Sequence, residues 1–400
     1  MSRLIIVSKI HPRFYILGLV QILASTAAGV ALTVVTPVAL RLSGSVQVSG
    51  LAQTSMILGA SVLTLPITRL AQRSGRNVAM ALAFALATAG TAGILGAVAA
   101  EAWPLLLIFL FLLGGGTVGG LATRFAAAET VDNPVNVPVA ISMILWTGTL
   151  GALLGPNLVS IFGLQTNLGP FLLLLALYVS ATCLAYVGAP RKPAVAEWTR
   201  KRLSFSEILQ TCCLHPRAVD GLTVTLVSHA AMVALMGMAP VHLNIENNSP
   251  TVVGLIMSAH MVAMYALSPV FGLLARQFGA RFLGRAGLTS LGASAILIGA
   301  SNAREPGIFA AGLALLGLGW SMGIIAGSAL VSSEVSEPER GTFQGLADLT
   351  MNVSGGLASI SAGLVMATWS YNLLAWVTSS LVFAVLVVIE ACRYFRYKNA

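Results

Sequence analysis

Apolar residues in this chain gather into long runs separated by short polar stretches. The runs fall at about 15–41, 48–70, 77–100, 103–125, 137–163, 168–190, 218–243, 251–275, 281–301, 306–332, 341–367 and 370–392. Each is roughly 20 residues or longer, enough for a helix to cross a hydrocarbon core at about 1.5 Å per residue. Glycine is frequent inside them, from Gly114 to Gly120 and at Gly355 and Gly356, as suits helices that pack closely in lipid. The pattern predicts an all-α integral membrane protein of twelve transmembrane helices, with both termini on one side.

Composition agrees and removes the soluble alternatives. The chain is 57% apolar and only 9% charged, against about 25% charged in a soluble domain. The net charge of +9 at first suggests a nucleic-acid partner, but its distribution argues otherwise. With the N-terminus inside, 20 of the 22 Lys and Arg residues fall on the inner face, and only Arg41 and Arg304 fall outside. That asymmetry sets orientation, so both termini are expected in the cytoplasm and no nucleic acid is implied. The first run follows Lys9 and Arg13 and so looks like a signal peptide, but its length and the eleven runs behind it mark a retained helix. Among the cysteines there is no CxxC, and none of Cys183, Cys212, Cys213 and Cys392 faces outward, so no disulfide is expected. Cys212 and Cys213 are either a soft-metal pair on the inner face or plain reduced thiols. No phosphate loop, nucleophile triad or soluble catalytic domain is present, so no enzyme and no cofactor is expected.

One long polar stretch, 191–217, holds a short amphipathic piece from Ser204 to Leu209. It divides the chain into a six-helix half (1–190), a cytoplasmic linker and a second six-helix half (218–400). The halves repeat at an offset of about 204 residues. Arg69-Leu-Ala-Gln72-Arg73-Ser-Gly75-Arg76 follows span two, and Leu274-Ala-Arg276-Gln-Phe-Gly279-Ala-Arg281 follows span eight. The Gly-rich fourth and tenth spans end near Glu129 and Glu334. Two such repeats describe a transporter that rocks about a site between its halves near mid-membrane.

The basic glycine turns resemble the loop motif of the major facilitator superfamily, and the resemblance covers nearly the whole chain. It implies that fold, with a gate to which Arg73, Arg76 and Arg281 contribute. The motif's usual acid is replaced by Gln72 and Arg276. Gly151-Ala-Leu-Leu-Gly155-Pro156 is similar to the family's antiporter-type Gly-Pro motif. Here it is read as close helix packing beside a local release of the helix ladder.

Candidate chemistry is concentrated in spans seven and eight. Six of 13 Met and three of five His lie between His229 and Met264. On a helix, His229, Met232 and Met236 share a face within about 60°, and so do Met257, His260 and Met264. Met238 points to the other side of span seven. Met232 and His260 lie at matching depth, so facing spans are expected to bring MxxxM and HxxxM together. Thioether with imidazole suits copper, above all Cu(I). Zinc favours thiolate or carboxylate, and hard cations favour oxygen. On spacing alone a soft-metal site and ordinary methionine packing both stand.

Met232-Val-Ala-Leu-Met236 and His260-Met-Val-Ala-Met264 resemble the paired signature of the CcoA-like copper importers, a branch of the same superfamily. The resemblance implies copper as transported substrate, bound by Met232, Met236, His260 and Met264. It also implies uptake across the bacterial inner membrane and delivery to chaperones that assemble haem-copper oxidase of the cbb3 type. His229, Met257 and His242 join the ligand set from geometry. Asp348, deep in span eleven, is assigned to ion coupling or to a local hydrogen-bonding role. Arg124 and Glu129 are read as a pair at the inner mouth or as a solvated helix end. A monomer in the bilayer is expected. Two other functions fit the same chain, a proton-coupled exporter of small organic solutes and a membrane copper sensor or chaperone that does not translocate.

Overall fold

The computed structural model describes residues 12–44, 46–161, 168–191, 214–246, 250–301, 306–335 and 337–398. The linker's Cys212 and Cys213, the stretch Ser204 to Leu209, and Arg304 lie outside these residues. Twelve helices among the described residues are long and apolar enough to span a membrane. They fall into two compact units, Met1–Arg200 and Lys201–Ala400.

In the first unit, span one is Pro12–Ser43, span two Val46–Ser74, span three Arg76–Ala99, span four Trp103–Ala128, span five Val137–Ile161 and span six Gly169–Gly188. In the second, span seven is Pro216–Ile245, span nine Ala280–Ala300, span ten Pro306–Ser333, span eleven Glu337–Thr368 and span twelve Tyr371–Lys398. Pro12, Pro216, Pro250 and Pro306 each open a helix, where the missing N–H costs nothing and the fixed φ is already helical.

Span eight departs from the expected continuous helix. It runs as Pro250–Tyr265 and Ser268–Phe278, with a turn between them. Pro269 is the cause, because it has no N–H for the carbonyl of Tyr265 four residues earlier. The Ser268 hydroxyl donates to that carbonyl instead. The freed acceptor is therefore satisfied within the protein, as the absence of water in lipid requires.

The repeat seen in the sequence is also a repeat of contacts. Gly75 and Gly279 have φ of 94° and 90° with ψ of 157° and 148°, a region open essentially to glycine alone. A Cβ on Gly115 of span four would lie 2.5 Å from the Ala83 carbonyl oxygen of span three. One on Gly319 of span ten would lie 3.1 Å from the Gly287 carbonyl oxygen of span nine. Both residues of that crossing recur 204 positions later. The crossing of span two with span four recurs too, as Met56 and Ala60 against Gly114, then His260 and Met264 against Gly317. Each unit is thus knitted by glycines that admit a neighbouring backbone. Gly151 and Gly155 act likewise. A Cβ there would meet Ser25, Thr26 and Gly29 of span one at 2.4–2.8 Å, which gives this Gly-Pro segment a packing role.

Candidate functional site

His260 is fully buried on span eight, and its Nδ1 lies 2.6 Å from the Leu313 carbonyl oxygen of span ten. A carbonyl can only accept, so Nδ1 carries the proton and Nε2 of the neutral ring presents a lone pair. That Nε2 is buried and without a hydrogen-bond partner. Metal-binding imidazoles are oriented in just this way, with one ring N–H given to a carbonyl and the other nitrogen left for the ion. Met264, one turn further on, is 5% exposed. Gly317 makes room for both, since a Cβ there would come within 2.7 Å of the His260 carbonyl oxygen and 3.2 Å of Met264 Cγ.

The expected seam between spans seven and eight is corrected by the structure. These spans touch each other only slightly: span eight packs mainly on span ten, and span seven packs about equally on spans ten and eleven. The reason is the glycine run of span ten, which draws the His260–Met264 face onto itself at Gly317. Met232 is 6% exposed on span seven, while Met236, Met238 and Met257 pack half-buried against the apolar core of the second unit.

The two histidines added from geometry are held by other contacts. The Trp320 indole N–H of span ten donates to His229 Nδ1 at 3.3 Å, which places the neutral ring's proton on Nε2. The opposite edge of His229 abuts Gly355 of span eleven, where a Cβ would lie 2.9 Å from the ring. His242 stacks on Tyr371 with ring centres 4.5 Å apart, and Phe309 lies 5.6 Å away. Among the described residues no three His, Cys, Asp or Glu gather as a metal group.

Sequence reasoning missed Trp320 and Tyr265. Their rings meet edge to face at 5.7 Å, so Trp320 joins span seven to span eight through one indole. Trp320 lies 91 residues from His229, and no local spacing announces such a contact.

Asp348 is buried in span eleven with Gln344 and Asn352 one turn to either side, both also buried. Gln344 Nε2 donates to Ser332 Oγ at 3.3 Å, and Asn352 Nδ2 donates to the Asp348 main-chain carbonyl at 2.9 Å. This polar stripe inside an apolar span is costly in lipid and so marks function or a specific packing need.

At the basic end of the first unit, Glu129 takes Arg76, with Nε 2.5 Å from Oε1, and the two side chains are only 12% and 23% exposed. Arg124 is buried, its guanidinium 4.8 Å from the Phe125 ring centre. The glycine turn brings Arg76 to this carboxylate at the inner end of span four. Asn77 N–H donates to the Pro190 carbonyl at 3.2 Å, which ties that turn to the end of span six. Arg73 is exposed. Arg281 lines a pocket within the second unit.

Twelve spans in two like units, knitted by repeated glycine crossings, define a two-half membrane transporter. The family model of the Major Facilitator Superfamily matches residues 17–246 and 221–399, and the chain belongs to that superfamily. It is similar to the uncharacterised MFS-type transporter YddS of Bacillus subtilis, 28% identical over 391 residues, covering 94% of this chain and 89% of the relative. It is also similar to the riboflavin transporter RfnT of Brucella anthropi, 27% identical over 383 residues and 93% of each chain. Among solved structures, the human organic anion transporter MFSD10 superposes with a TM-score of 0.78 at 14% identity, covering 95% of this chain and all of that one. The E. coli fucose:proton symporter FucP superposes with 0.76 at 13%, covering 95% and 98%. These likenesses carry the fold alone.

Proposed function

We propose that the chain is a copper importer of the bacterial inner membrane, working by alternating access and feeding the assembly of haem-copper oxidase of the cbb3 type. The observation that carries this reading is the buried, unpartnered Nε2 of His260, with its ring fixed by Leu313 and Met264 one turn away. An orphan buried acceptor costs about 1–3 kcal/mol, and a soft ion would offset that cost. In this reading Met232 and Met236 are the further thioether donors, carried on span seven. That span would have to approach span eight during transport, because the two touch only slightly here. Neutral donors hold Cu(I) less tightly than thiolate does, which suits a site that must release its cargo. None of the named relatives is described as a copper transporter, so the resemblance of the Met and His pairs and the state of His260 are its support. Arg76, held to Glu129, is assigned to the inner gate together with Arg73.

A second reading is favoured by Trp320, which gathers His229 and Tyr265 into one aromatic wall. Such a wall suits a flat organic solute, and RfnT is described as a riboflavin transporter. Cellular copper and riboflavin content, with and without the protein, separates the two. Higher copper with unchanged riboflavin supports the first reading. Riboflavin changing at constant copper supports the second.

A further inference from the structure

The second unit holds a pocket at the end that carries the basic residues, away from His260. Asp220 and Val224 of span seven, Arg281, Gly284 and Arg285 of span nine, and Glu390 and Arg393 of span twelve line it, with leucine and isoleucine side chains between them. Three guanidiniums face two carboxylates, a surplus of one positive charge.

The ion pairs do not consume that surplus. Glu390 already serves two arginines. Arg285 binds it through Nε at 2.6 Å and Nη2 at 2.7 Å, and Arg393 Nη1 lies 3.1 Å from Oε1. Arg281 Nε is buried and has no hydrogen-bond partner. A buried guanidinium donor without an acceptor is costly, and basic pockets between spans on the cytoplasmic side take up anionic headgroups. The surroundings are apolar as well. Phe282 and Val387, which adjoin the pocket residues Arg281 and Leu386 in sequence, are 48% and 66% exposed, a surface fit for acyl chain.

We infer that this pocket binds the phosphate of an anionic phospholipid, with Arg281 and Arg393 as donors and the acyl chains lying along spans nine and twelve. Arg281 is thereby a lipid contact that steadies the basic end of the second unit.

Native mass spectrometry of the purified full-length protein, offered phosphatidylglycerol or phosphatidylcholine of equal chain length, tests this. Phosphatidylglycerol should be retained about five-fold more, the factor expected for one basic residue near the surface. Arg281→Gln should abolish that preference. Arg276→Gln, exposed at the same end but outside the pocket, should keep it. Should Arg281→Gln fail to fold, Arg393→Gln gives the same reading, and the lipid comparison in the parent stands without any variant. Equal retention of the two lipids by the parent overturns the assignment, as does an undiminished preference in the pocket variant. Displacement of bound phosphatidylglycerol by excess inorganic phosphate would make this a free-phosphate site and overturn the lipid. Retention through that challenge supports the lipid.

Discussion

The imidazole Nδ1 of His260 donates to the carbonyl oxygen of Leu313 across 2.6 Å, joining span eight to span ten in the interior of the second unit. This bond fixes both tautomer and ring direction, and so decides which nitrogen is left with a lone pair to offer.

The seam that carries this bond depends on Gly317. Gly317→Ala forces a methyl to 2.7 Å from the His260 carbonyl oxygen, and overpacking of this kind costs about 1–3 kcal/mol. A lowered Tm of the purified protein with weaker copper binding is expected. Gly363→Ala, where no atom stands within 4 Å, should instead leave Tm unchanged or raise it, since alanine favours the helix by about 0.5–1 kcal/mol. Equal Tm changes in the two variants would count against the close crossing.

The pair of Arg76 with Glu129 predicts a rate effect. Either Arg76→Gln or Glu129→Gln should slow uptake by roughly two- to ten-fold, as about 0.5–1.4 kcal/mol gives, while copper affinity stays near the parental value. The charge-swapped pair Arg76→Glu/Glu129→Arg should recover part of the loss. Initial uptake rates with equilibrium binding on the same samples check this, and lost affinity at unchanged rate would contradict a gate role.

Much of this architecture was legible in the chain, because a bilayer demands long apolar runs and the repeat is stamped by glycines that tolerate no substitute. Gly75 and Gly279 announced their turns 204 residues apart. What was not legible was partner choice. Spans seven and eight are neighbours in sequence, and their Met and His faces match in depth, yet span eight packs mainly on span ten and span seven on spans ten and eleven. Helical period fixes which residues share a face but not which helix that face meets. The break in span eight was marked by Pro269, but its resolution by the Ser268 hydroxyl is a matter of local geometry. The aromatic wall at Trp320 arises from long-range packing and left no local mark.

Asp348, flanked by Gln344 and Asn352 in a buried stripe, is proposed to take part in ion coupling, the alternative being a local hydrogen-bonding role. Asp348→Asn preserves shape and removes the titratable group. Copper uptake into proteoliposomes should then lose its acceleration by an inward proton gradient while copper still binds. Acceleration equal to that of the parent would confine Asp348 to a packing role.

The central claim is that spans seven and eight ligate copper through thioether and imidazole. Cu(I) uptake into proteoliposomes tests it most directly, using Met232→Leu/Met236→Leu, His260→Gln and Met264→Leu beside the parent and Met238→Leu. Met-to-Leu exchange conserves volume and costs under about 1.5 kcal/mol, so the methionine variants should be recovered folded, and the amount of folded His260→Gln is measured beside them. The account predicts that the three ligand variants lose uptake and that Met238→Leu retains it. Parental uptake by Met232→Leu/Met236→Leu together with His260→Gln would contradict it.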